Sequence, residues 1–118
     1  MAIIRGGGAL DARFVADLGD LCTAVPEDVR VVVLAPDAVA WEGYDGATAF
    51  GDLFAPLADL AQPTLAVLSG ATLGGGLELA LAADIRVSRP DVSIGLGLLS
   101  GGFPRAGGLQ RLTRAVGR

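Results

Sequence analysis

The sequence contains no histidine and no lysine, so all nine of its basic residues are arginine. These absences exclude whole classes of chemistry. A Walker A phosphate loop requires its lysine, a Ser-His-Asp or Cys-His system requires imidazole, and a Schiff base requires a side-chain amine. Cys22 is the single cysteine, which removes a disulfide framework and a multi-cysteine metal site, and its place in an apolar helical pattern marks it as a small buried residue. With histidine absent and the acids scattered, no metal constellation is visible. Acid-base chemistry is left to aspartate, Tyr44 and three glutamates, Glu27, Glu42 and Glu78.

Met1 to Gly8 has neither the charged start nor the long apolar core of a signal peptide, so a cytoplasmic location is the expectation. Leu60 to Ala83 is apolar with Glu78 as its only charge, but Pro63 and the glycines within it argue against a membrane span. No basic run exists, and the isoelectric point near 4.5 leaves no face for nucleic acid.

What is present is apolar. The 118 residues suffice for one core, so a single domain over 1–118 is expected. At 52% hydrophobic residues and a mean hydropathy of +0.56, the chain is more apolar than a soluble monomer of this size needs to be, which points to a homo-oligomer or a protein partner. The net charge of −4 divides unevenly: residues 1–60 carry ten acids and three arginines, residues 61–118 three acids and six arginines. The second half therefore attracts anions.

Asp11 to Val25 places Phe14, Val15, Leu18, Leu21 and Cys22 at helical spacing before Pro26. Val29 to Leu34 is a β-branched run suited to a parallel strand covered on both faces. Trp41 to Gly46 reads as irregular. Thr48 to Leu60 returns to helical spacing, with Pro56 as a kink or break. Then come a strand over Thr64 to Ser69, a helix over Gly76 to Ala83, strands at Ile85 to Ser88 and Val92 to Ile94, a packed glycine-rich loop, and a last helix over Gly108 to Val116. Strands alternating with helices predict an α/β fold with right-handed crossovers; no internal sequence repeat is visible.

The most informative block is Leu65 to Ala80: a buried strand, the glycines Gly74, Gly75 and Gly76, and a helix opening beside Glu78. Glycines admit a ligand close to the backbone, and the first N–H groups of a helix have no intrahelical partner, so an oxyanion or phosphate suits the site. A dinucleotide loop fails on spacing, because Leu79 stands where the third glycine of Gly-x-Gly-x-x-Gly belongs. Spacing alone equally allows glycines that merely let a helix pack on a sheet, with Glu78 favouring the helix dipole.

Ser69 to Arg86, with its Gly74-Gly75-Gly76-Leu77-Glu78 core, resembles the signature of the crotonase (enoyl-CoA hydratase/isomerase) superfamily. Pro104-Arg105-Ala106-Gly107-Gly108-Leu109-Gln110-Arg111-Leu112 is similar to that family's Pro-Gly-Ala-Gly-Gly-Thr-Gln-Arg-Leu segment, and Ala9-Leu10-Asp11 before the first helix and Asp28 to Leu34 are similar to its opening helix and strand. The resemblance implies a ββα spiral core, lacking most of the N-terminal hairpin and the C-terminal helical region. It further implies an acyl-CoA thioester as substrate, no separate cofactor, and an oxyanion hole of two backbone N–H groups that stabilises an enolate. One donor falls on Gly75. The other falls in Ala40-Trp41-Glu42-Gly43-Tyr44, with Gly43 as the candidate and Glu42 or Tyr44 as alternatives.

Glu78 matches the first of the family's two catalytic carboxylates. Leu98 stands where the second would be, and Arg105 replaces a glycine. Two readings follow: a crotonase-type enzyme using Glu78, or a catalytically impaired subunit that joins its own copies or a longer crotonase-like chain. Trp41 and Tyr44 read as packing or ligand contacts, Arg111 and Arg114 as cations near a helix C-terminus, and Arg105 as an open phosphate candidate.

Overall fold

The computed structural model describes residues 1–6, 12–36, 41–42, 54–95 and 108–117. In chain order the elements are β1 (Ala2–Gly6), α1 (Ala12–Thr23), β2 (Val32–Pro36), β3 (Trp41–Glu42), α2 (Ala55–Ala58), β4 (Thr64–Leu68), β5 (Thr72–Leu73), α3 (Gly75–Ala82), β6 (Ile85–Ser88), β7 (Ile94–Gly95) and α4 (Gly108–Val116). From β2 onward they form three ββα units. The first strands of the units join β1 in a parallel sheet ordered β1-β2-β4-β6, while the second strands form a small parallel sheet ordered β3-β5-β7. Both sheets follow chain order, so each unit stacks on the one before and the backbone winds as the ββα spiral that the resemblance implies. The repeat is structural. β2, β4 and β6 begin at Val32, Thr64 and Ile85, intervals of 32 and 21 residues, and such unequal periods leave no self-similarity for a sequence to display.

The core lies where α1, α2 and α3 meet one face of the larger sheet. Leu18 and Cys22 of α1, Phe54 and Leu57 at α2, Leu34 of β2, Ala66 and Leu68 of β4, and Leu79, Ala80 and Ala82 of α3 form a single buried cluster. The strands alternate rather than hide on both faces: Val32 and Leu34 are buried but Val33 is half-buried, and Thr64, Ala66 and Leu68 are buried while Leu65 and Val67 are half-buried. That corrects the expectation of a doubly covered strand, because the helices of this cluster pack against one set of pleats.

Several elements differ from their predicted extents. Leu21 belongs to the expected stripe of α1 but is 51% exposed; it lies roughly 100° around the helix from Cys22, at the edge of the buried stripe. Pro56 does not kink a long helix. It sits in the first turn of α2, where a missing N–H costs no helical bond, and Phe54 precedes the helix with its side chain fully buried. The expected helical residues 48–53 lie outside the described residues. Trp41–Glu42, read as irregular, is a strand, and β1 and β5 are strands that no periodicity announced.

Two polar clamps fasten the third unit to the second. Thr64, 2% exposed, donates through its N–H and its Oγ1 to Asp84 Oδ2 at 2.8 and 3.0 Å, and Asp84 N–H donates back to Thr64 Oγ1 at 2.9 Å. Arg86 Nη1 donates to the carbonyls of Ala83 and Ala80 at 2.7 and 3.3 Å at the C-terminal end of α3, where the Ala80 carbonyl also accepts the Ala83 N–H at 3.2 Å. These bonds give Asp84 and Arg86, both inside the recognised motif, structural work at the junction of α3 and β6, Asp84 tying it to the start of β4.

Candidate functional site

The turn from β5 into α3 is built by one glycine in a conformation that disfavours side chains. Gly74 has φ 54° and ψ −121°. Its N–H donates to Gly95 O at 3.1 Å, extending the β5-β7 ladder, and its carbonyl accepts the first helical bond from Glu78 N–H at 3.1 Å. Both polar groups of Gly74 are therefore engaged. The next N–H along the chain, that of Gly75, opens α3 with no acceptor inside the helix, followed by those of Gly76 and Leu77, and no side chain caps them. Partial positive charge gathers at that end.

β3 brings the second candidate donor segment to the same place. Trp41 pairs with Thr72 and Glu42 with Leu73 in parallel register, so the chain reaches Gly43 one residue past the partner of Leu73, and Leu73 itself precedes Gly74. Gly43 lies outside the described residues, as do Tyr44, Leu98 and Arg105. β5 is held on its other side by β7, with Thr72 N–H donating to Ser93 O at 2.8 Å.

Glu78 is three residues beyond Gly75, on the adjoining turn of α3, and is 4% exposed. Leu79, Ala80 and Ala82 of the same helix belong to the main core, whereas Leu77, Glu78 and Leu81 are buried outside it. The elements that pack on α3 beyond that core are α4, β3 and β5. The carboxylate is thus buried on α3 beside the main hydrophobic cluster, on a helix that α4, β3 and β5 also pack against. A helix whose buried residues run unbroken from Gly76 to Ala82 accommodates one acid only if the acid is bonded, and no buried side-chain polar atom among the described residues lacks a partner.

Arg111 of α4 is half-buried and Arg114 lies in its last turn, the position read from the sequence as favourable for a cation. Elsewhere, burial pushes the Cys22 thiol up from its ordinary pKa. On the surface between β6 and β7, the hydrogen bond from Arg89 holds the Asp91 carboxyl below the usual carboxylate range. Among the described residues there is no group of three or more potential metal-ligating side chains and no helix long and apolar enough to cross a membrane.

Sequence reasoning put Gly75 in the turn just before a helix beginning at Gly76 and Glu78 near that helix's start; in the structure Gly75 is the first residue of α3 and Glu78 follows three residues later. It missed the three-stranded ladder that aims them, with Gly95 as the acceptor for Gly74 and Thr72 as the central residue. The run Gly74-Gly75-Gly76 was the only signal the sequence offered, and it does not say which glycine takes the positive φ that the structure places at Gly74.

The sequence model of the enoyl-CoA hydratase/isomerase family matches residues 42–118. The chain is 48% identical over 69 residues to a probable mitochondrial enoyl-CoA hydratase 2 of Arabidopsis thaliana, covering 56% of this chain and 22% of the relative. It is 49% identical over 69 residues to the fatty acid oxidation complex subunit alpha of Vibrio vulnificus, covering 56% of this chain and 10% of that one. Among solved structures, an enoyl-CoA hydratase/isomerase family member superposes with a TM-score of 0.80 at 27% identity, covering 98% of this chain and 55% of its own. The enoyl-CoA hydratase of Bacillus anthracis superposes at 0.76 and 26% identity, covering 93% and 50%. The chain thus spans about half the length of these solved structures.

Proposed function

The chain belongs to the enoyl-CoA hydratase/isomerase family, and from that membership we propose that it binds an enoyl-CoA or related coenzyme A thioester and stabilises the enolate formed from it. The observation that carries the reading is the turn at Gly74, which engages its own N–H and carbonyl and leaves the Gly75 N–H as the first unpaired donor of α3. An oxyanion there meets a backbone donor and the positive end of a helix without reorganisation of either. Gly43, at the exit of β3, is the proposed second donor. No cofactor beyond the coenzyme A of the substrate is invoked.

Glu78 is the proposed proton-transfer group. Its carboxylate accepts a proton from the thioester or from an attacking water and returns it to the enolate or the leaving oxygen. The resemblance puts Leu98 where the family's second catalytic glutamate would fall, and on that expectation we propose a reaction run by one carboxylate in place of two-carboxylate hydration. The same substitution favours a second reading, a catalytically impaired crotonase-like subunit that retains thioester binding within an oligomer. Support for assembly comes from Ile85, Val87 and Ile94, which are 57%, 49% and 49% exposed on β6 and β7.

The test is a thermal-shift titration with crotonyl-CoA and with free coenzyme A, followed by turnover assays of the wild type and Glu78→Gln. A thioester-dependent shift of about 2.7 kcal/mol at about 100 times the dissociation constant, with turnover lost by about 10²–10⁴ in the variant, is the expected result. Thioester-dependent binding without Glu78-dependent turnover selects the impaired subunit. Equal response to both ligands refutes the oxyanion role of Gly75.

A further inference from the structure

Thr72 has no part in the chemistry above, yet it sits where the parts of the oxyanion turn are joined. In the three-stranded sheet its Cα partners are Trp41 on β3 and Ile94 on β7. Trp41 and Glu42 lead into Gly43, and Thr72 and Leu73 lead into Gly74 and Gly75, so one residue pairs with the strands on both sides of the turn. Its side chain is buried at 2% exposure. Its N–H is bonded to Ser93 O, and its Oγ1 donates to Gly70 O at 3.0 Å.

Gly70 lies in the three-residue crossing, Ser69 to Ala71, by which the chain leaves the four-stranded sheet and enters the three-stranded one. A glycine there has more backbone freedom than any other residue, and β5 is only two residues long, so its two ladder positions resist rotation weakly. Among the described residues, the Thr72 hydroxyl makes the one side-chain hydrogen bond within residues 69–77. We infer that Thr72 is a positioning residue: its hydroxyl clamps the β4-β5 crossing at Gly70 and thereby fixes the direction in which Gly74 turns and the Gly75 N–H points. The inference rests on the proposed oxyanion role of Gly75. A donor must lie in a distance window only about 0.4 Å wide from a developing oxyanion, and misplacement by about 1 Å costs about 10²-fold, so a crossing held by one hydroxyl is a sensitive point.

Three variants test this. Thr72→Val keeps the β-branched shape and removes the hydroxyl, Thr72→Ala removes it with less bulk should the valine not be accommodated, and Thr72→Ser keeps it. Amide exchange is measured at Gly74, whose N–H is bonded to Gly95, and at Val67 in β4 and Leu81 in α3 as references; affinities for crotonyl-CoA and free coenzyme A are measured in parallel. For Thr72→Val and Thr72→Ala, exchange at Gly74 rises about tenfold with the references within about twofold, the preference for thioester over coenzyme A falls about tenfold, and Thr72→Ser restores both. Unchanged exchange at Gly74, or equal acceleration at all three amides, overturns the positioning role. A wild-type chain that binds crotonyl-CoA no better than coenzyme A refutes the oxyanion reading instead, and the exchange pattern still decides what Thr72 does.

Discussion

Replacing Gly74 by alanine gives a sharp test of how the turn is held, because the same substitution at Gly19 has the opposite expected sign. At φ 54° and ψ −121°, an alanine at position 74 incurs backbone strain of about 1–3 kcal/mol if the turn keeps its shape. If the turn relaxes, it forfeits the bond from Gly74 N–H to Gly95 O and the bond from Glu78 N–H to Gly74 O, together about 1–3 kcal/mol. Either route destabilises by about 2 kcal/mol. With an unfolding entropy of about 2.1 cal/mol/K per residue, this chain of 118 residues loses about 8 °C in Tm. Gly19 lies inside α1, and a Cβ there meets Pro56 Cγ at 4.0 Å, an ordinary contact. Gly19→Ala therefore gains about 0.5–1 kcal/mol of helix propensity and raises Tm by about 2–4 °C. Far-UV circular dichroism melts of the two variants and the wild type measure the difference. A Gly74→Ala variant melting within about 2 °C of wild type with its thioester affinity intact would show that the Gly74 conformation does not hold the site.

Two further predictions concern the frame around the site. Asp84→Ala strips both acceptor contacts from the buried Thr64 and lowers stability by about 1–3 kcal/mol, with Asp84→Asn losing less because one acceptor oxygen remains; urea unfolding of the pair checks the order. For Cys22, burial raises the folded-state pKa, so its contribution is complete below the ordinary thiol range and is lost as pH rises through that range toward the folded value, where the unfolded thiol ionises first. Wild type should lose more stability than Cys22→Ala between about pH 8 and about pH 10, and equal slopes in the two unfolding series would refute the assignment.

Local chemistry makes much of the fold legible in the sequence. The Ile85–Ser88 strand and the Gly108–Val116 helix match their predicted bounds, α3 starts one residue earlier than expected, and Cys22 is buried as its helical neighbours imply. Composition excluded lysine- and histidine-based chemistry, and one motif with its glycines and Glu78 pointed to the family. These features are carried by residues within one or two turns of each other, so propensity, periodicity and spacing report them directly.

Tertiary structure alone decided the rest. β3, β5 and β7 are two residues each, too short to show an alternating pattern, and they exist because each edge finds a parallel partner far away in the chain. Leu21 and Leu18 belong to the same apolar stripe in sequence, but only Leu18 meets the core. Gly74, Gly75 and Gly76 are interchangeable as letters. Which of them takes the positive φ was settled by Gly95, 21 residues downstream, whose carbonyl captures the Gly74 N–H and leaves Gly75 to open the helix. The sequence determined that a donor turn and a carboxylate share one helix end; hydrogen bonds between distant strands determined where that end points, because the direction of a backbone N–H depends on partners that no local run of residues encodes.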